Sequence, residues 1–94
     1  MIKVQRVGEG GVISFEVAVR EGKGETRHHV TMSEVKAQQL TAGKHTPERC
    51  IEAVFRFLLD REPKESILAR FDISAVSHYF PEFEQEMPRY LARF

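Results

Sequence analysis

The chain has no tryptophan, only one cysteine, and no surplus of charge of either sign. A lone cysteine, Cys50, cannot close a disulfide within the chain and makes a cysteine metal site improbable, which fits a reducing, cytoplasmic setting. Fourteen basic and fourteen acidic side chains cancel, and no third of the chain departs from neutrality by more than one charge. Nucleic-acid and acidic-membrane binders usually carry a basic excess or stripe, so neither is the expected partner. No apolar run approaches the roughly 20 residues of a membrane span, and the N-terminus lacks the charged-then-apolar pattern of a leader. Repeats and low-complexity linkers are absent too. Zero net charge mildly favours self-association.

What is present is ordinary globular composition: 41% hydrophobic and 30% charged residues over 94 positions, enough for one small domain. The chain is organised around TPERCIEAVFRFLLDR, residues 46–61. Thr46 suits a helix cap, because its hydroxyl can accept a free first-turn amide, and Pro47 suits the first helical position. The apolar residues Cys50, Ile51, Ala53, Val54, Phe55, Phe57, Leu58 and Leu59 leave one polar stripe at Glu48, Glu52, Arg56 and Asp60. Such a helix has to be surrounded by other elements.

Upstream, Ile2 to Val7, Val12 to Arg20 and Thr26 to Met32 alternate as strands, separated by the glycine turns 8–11 and 21–24. Ile13, Phe15, Val17 and Val19 share one side. A turn pairing Val7 with Val12 sets Val4 opposite Phe15 and Ile2 opposite Val17. Pairing Arg20 with Glu25 sets Phe15 opposite Val30 and Ile13 opposite Met32. Both hairpins put apolar residues on one face, which predicts a three-stranded antiparallel meander (about 2–32) with the second strand central.

The helical part spans about 33–94. Ser33 or Thr31 caps a short helix ahead of Glu34, and residues 41–44 break it. Beyond the hub, Ile67, Leu68 and Phe71 recur at helical spacing over residues 64–71. Asp72 caps a further short helix, and Pro81 opens a last one carrying Phe83, Met87, Tyr90, Leu91 and Phe94. Pro88 lies inside that pattern and predicts a kink or break. The expected fold is therefore α+β: the meander, then four to five short helices packed around a central helix at about 47–60.

Chemistry-bearing residues are sparse. His28 and His29 are strand neighbours facing opposite ways, so they cannot share a metal, and His45 and His78 stand alone; no metal or cofactor is expected. The register sets Glu16 between Lys3 and His29 on the wet face, a solvated charge group rather than an acid–base site. Cys50, about a turn into its helix, reads as core filling. The glycines have strands on both sides and form hairpin turns, not a phosphate cradle. No catalytic constellation is legible.

Residues 66–80, SILARFDISAVSHYF, locally resemble the DNA-binding helix-turn-helix family: a short helix with a small residue at Ala69, a sharp turn at Asp72, then Ile73-Ser74 and Val76-Ser77-His78-Tyr79. The resemblance implies that Ser74, Ser77 and His78 face the groove of DNA. The family's turn glycine is absent, the spacing is shorter, and Glu65 and Asp72 balance Lys64 and Arg70 where phosphate contacts need a basic excess.

Five of the nine aromatics, Tyr79, Phe80, Phe83, Tyr90 and Phe94, fall in the last sixteen residues. Either this segment closes over the hub as a lid, or part of it is offered to a protein partner, a second copy included. Open sheet edges are a second route to self-association. The expected function is a non-enzymatic interaction or regulatory module. The alternatives are nucleic-acid binding through residues 66–80 and an enzyme whose site the sequence does not disclose.

Overall fold

The computed structural model describes residues 1–93; Phe94 lies outside them. In chain order the elements are β1 (Ile2–Gly8), β2 (Val12–Arg20), β3 (Glu25–Ser33), α1 (Glu34–Thr41), α2 (Pro47–Leu59), β4 (Arg70–Asp72), α3 (Ser74–Tyr79) and α4 (Phe83–Leu91), with one 3-10 turn at Lys64–Ser66. The class is α+β, with a mixed sheet ordered β1-β2-β3-β4 and four helices.

The α2 helix forms as its residues dictate. The Thr46 hydroxyl accepts the Arg49 amide at 3.1 Å, Pro47 opens the first turn, and Glu52 pairs with Arg56 at 3.0 Å along the polar stripe. Cys50, Ile51, Ala53, Val54, Phe55, Phe57 and Leu58 are all buried, while Leu59 is half-buried. They meet Phe15, Val17, Val19, Val30 and Met32 from the sheet and Phe83, Met87 and Leu91 from α4 in one continuous core. Ser33 caps α1 by accepting the Lys36 amide at 3.0 Å, so Thr31 stays in β3.

The β2–β3 hairpin has the expected register, with Arg20 opposite Glu25 and Phe15 opposite Val30. The β1–β2 hairpin does not. Ile2 pairs with Val19, Val4 with Val17 and Arg6 with Phe15, a slide of two residues, with an irregularity between Arg6 and Gly8. Val12 and Ile13 run past the end of β1 to pair with Ser33 and Met32, and the Gly11 carbonyl is drawn to the Glu34 amide at 3.1 Å. A slide of two keeps every side chain on its face, so the core is unchanged. The outer face does change: Gln5, not Lys3, lies opposite Glu16. On the inner face Arg6 takes the position opposite Phe15 and sends its guanidinium to Glu48 in the first turn of α2, through two bonds of 2.9 Å.

Two further expectations need correction. Residues 64–71 are not a helix: after the 3-10 turn the chain extends, and Arg70–Asp72 adds to the sheet as β4, parallel to β3. The meander thus gains a fourth strand, β3 is interior, and the sheet's outer strands are β1 and β4. Pro88 does not break α4. The helix continues to Leu91, and the Ala92 amide bonds the Pro88 carbonyl at 3.0 Å. Pro88 lies in the second turn, where the single bond it forfeits belongs to the carbonyl of Glu84, an exposed residue.

Candidate functional site

Past α2 the chain winds tightly and then hooks back to the sheet. The amides of Arg61 and Glu62 both bond the Leu58 carbonyl, at 3.0 and 2.9 Å. Pro63 is extended, and the 3-10 turn brings in Lys64, a buried lysine whose ammonium is satisfied by Glu65 at 2.7 Å and by the Lys23 carbonyl at 3.2 Å. From Ile67 the backbone is extended, and polar groups of β3 fasten it. His28 Nδ1 donates to the Leu68 carbonyl at 2.8 Å, which fixes the proton on that nitrogen because a carbonyl only accepts. Its Nε2 meets the Thr26 hydroxyl at 2.9 Å. The His29 amide bonds the Ala69 carbonyl at 2.7 Å, and the Ile73 amide bonds the Thr31 carbonyl at 2.9 Å.

Asp72 joins strand to helix. Its carboxylate accepts the Thr31 hydroxyl at 2.6 Å and the Ser74 amide at 3.0 Å. The N-cap position of α3 is Ile73, so Asp72, expected as the cap, reaches the first turn from one residue earlier, at the end of β4. Burial alone would push its carboxyl up, but these hydrogen bonds together outweigh that and hold it below the usual value.

The hook and α3 enclose a groove of about 200 Å³. Leu58, Ile67, Phe71, Val76 and Phe80 form its apolar lining. Leu68 and Tyr79 line it too, at 50% and 65% exposure. Apart from the Ser66 and Tyr79 hydroxyls, the polar element is Glu62. Among the described residues no hydrogen bond or ion pair reaches its carboxylate, and partial burial pushes its pKa up. Sequence reasoning missed Glu62, Leu68 and Phe71 as site residues. The available signal was a second reading of residues 67–73, in which Ile67, Phe71 and Ile73 point inward on a period of two.

The aromatics expected to serve a partner divide. Phe83 and Tyr90 are buried edge-on against Phe57, with centroids at 5.1 and 5.6 Å, and the Tyr90 hydroxyl bonds Asp60 at 2.5 Å. They belong to the core and present no face to another chain. Phe80 is half-buried between Phe57 and the groove, Tyr79 is exposed, and Phe94 lies outside the described residues.

The helix-turn-helix geometry is not formed, because a 3-10 turn and a strand stand where its first helix belongs. Ser74 is tied to Asp72, Ser77 lies 3.4 Å from Glu84, and exposed His78 stands edge-on to Tyr79. Carboxylates therefore sit beside both serines that the resemblance assigned to DNA.

Other candidates resolve into structure. Cys50 is fully buried 3.8 Å from the Met32 sulfur, and desolvation pushes its thiol up to about 12, far from a thiolate nucleophile. His29 bonds Glu16 on the outer face. A polar depression of about 380 Å³ on that face includes Lys3, Arg20 and Arg27, and the two arginines already bond Glu25. Among the described residues no group of three or more His, Cys, Asp or Glu is placed to hold a metal ion, and no helix is long and apolar enough to cross a membrane. Comparison of the chain with protein-family models, with curated proteins and with solved structures finds no match.

Proposed function

We propose that this protein is a non-enzymatic interaction module of the cytoplasm, and that a segment of another polypeptide docks in the groove between the β4 hook and α3. The observation that carries this reading is the pair Leu68 and Tyr79. The fold buries most of its large apolar side chains, and of the six left exposed among the described residues these two line one and the same apolar groove. Burying a large apolar side chain is favourable by about 1.5–3 kcal/mol, so two such anchors on a preformed groove are a useful binding surface. The reducing setting is supported by Cys50, a buried free thiol.

The test is a selection of displayed random short peptides on the immobilised full chain, followed by titration of the isotope-labelled protein with the recovered peptides. Amide shift changes should concentrate in residues 58–80, and Leu68→Asp should abolish them without lowering the melting temperature. A selection that recovers nothing, or peptides that perturb a different surface, would refute the groove.

Self-association is a second reading, supported by β1 forming one outer strand of the sheet beside exposed Val7 and Val12, in a chain of zero net charge. Sedimentation at several concentrations decides it; a strict monomer removes it.

A further inference from the structure

We infer that the groove's occupant is a peptide segment of another protein carrying a lysine or arginine next to an aliphatic or aromatic anchor, with the cation pairing to Glu62. This rests on the docking reading above and adds the partner's chemistry to it.

The argument starts from the charges around the hook. Lys64 is taken up by Glu65 and the Lys23 carbonyl, and Arg61 by Glu82 and the Phe57 carbonyl. Glu62 stands between these two cations in sequence, yet neither has a bond to it, and no other described residue does. A carboxylate beside an apolar groove loses part of its water when the groove is covered. An apolar ligand alone would leave that loss uncompensated, whereas a cation would convert it into a charge-assisted hydrogen bond in a drier setting. The groove therefore selects against purely apolar ligands and against anionic ones.

Size favours a side chain over a metabolite. About 200 Å³ is below the roughly 300–1,000 Å³ of typical small-molecule sites, and suits one anchor side chain. A second copy of this chain is the poorer occupant. A two-fold contact with its axis beside Glu62 would set that carboxylate near its own counterpart, where like charges oppose association. The cations nearest it in sequence, Arg61 and Lys64, are already bonded.

The test uses the peptides recovered on the full chain, measured by fluorescence anisotropy against wild type, Glu62→Gln and Leu68→Asp. Glu62→Gln breaks no bond among the described residues, so the variant should fold. Recovered peptides should be enriched in Lys or Arg beside the anchor. Glu62→Gln should weaken them about tenfold, as should replacing the peptide cation with norleucine. The two changes together should weaken binding little more than either alone, because they remove one shared interaction. Peptides without basic enrichment, or equal affinity for wild type and Glu62→Gln, would overturn the cation while Leu68→Asp still upheld the groove. If Leu68→Asp binds as wild type does, the groove falls and the cation with it. A dimer that Leu68→Asp dissolves would give the groove to a second copy and overturn the inference.

Discussion

Phe57 is where the C-terminal helix is pinned to the hub, and shortening it to leucine should test that joint. The ring is fully buried, with Phe80, Phe83 and Tyr90 edge-on at 5.8, 5.1 and 5.6 Å and the Arg61 guanidinium 3.7 Å above its centroid. Each aromatic pair is worth about 0.5–1.5 kcal/mol beyond its area, and the cation contact about 0.5–1 kcal/mol. These terms share one ring and do not add fully, while leucine still fills much of the space. Phe57→Leu should therefore lose roughly 2–3 kcal/mol, a large part of a domain total near 5–10 kcal/mol. In a chain of this size each 1 kcal/mol moves the melting temperature by about 4–8 °C, which predicts a fall of about 8–24 °C. With no tryptophan in the chain, urea and thermal melts followed by far-ultraviolet circular dichroism are the direct assay. Phe55→Leu is the matched control, since Phe55 is equally buried but among the described residues has His28 and Phe71 as ring neighbours, at 5.3 and 6.0 Å. If Phe57→Leu loses no more stability than Phe55→Leu, the aromatic cluster is not what holds α4 down.

The Arg6 hydrogen bond holds the Glu48 carboxyl below its ordinary 4.5, against the opposing effect of burial. A depressed carboxylate stabilises the fold above its unfolded value and loses that contribution as pH falls through the folded one. Glu48→Gln should thus be about 1 kcal/mol less stable at pH 7, the size of a partly exposed ion pair, and urea midpoints of variant and wild type should converge as pH falls below 4.5 and through the folded value. Glu62 has the opposite sign: burial raises its carboxyl, so ionisation in the fold is slightly disfavoured. Glu62→Gln should melt no lower than wild type at neutral pH, and a clear drop would reveal a structural partner for that carboxylate. His28→Ala should cost roughly 2 kcal/mol, because it strips the part-buried Leu68 carbonyl of its donor and opens space beside buried Phe55. Hydrogen exchange should quicken first in residues 68–73 if the ring fastens the hook, and uniform exchange would argue otherwise.

Some of the fold could be read from the chain because several local signals agreed. At α2 the Thr46 cap, the proline, the ion pair and the apolar pattern all name the same segment. The β2–β3 register was readable because a short turn with Gly22 and Gly24 at positive φ pins it. The β1–β2 turn has no such tight constraint, and Arg6 finds its place through Glu48, forty-two residues away. β4 was hidden because Ile67 and Phe71 satisfy a period of four while Ile67, Phe71 and Ile73 satisfy a period of two. In so short a run neither period dominates, and only the free edge of β3 decides. The site was less legible still. Glu62 reads as an ordinary polar residue at a helix end, and what singles it out is that no partner among the described residues reaches it, a fact set by where the other segments go.

The way the hook is fastened explains how an apolar groove can remain open on so small a protein. Apolar packing ordinarily positions a segment by burying its side chains, which leaves nothing to offer. Here Leu68 and Ala69 are held by their carbonyls, through His28 and the His29 amide, and the next corner by Asp72 between Thr31 and Ser74. Main-chain and polar fasteners fix the backbone while the Leu68 side chain faces outward. A surface ordered before it meets its ligand avoids part of the entropy loss on binding, so the rim should be as rigid in the free protein as the sheet it hangs from. Backbone relaxation measurements on residues 67–73 in the free chain test this step. Order parameters near those of β3 fit a preformed groove, and values typical of a mobile loop would mean the groove is assembled by its ligand.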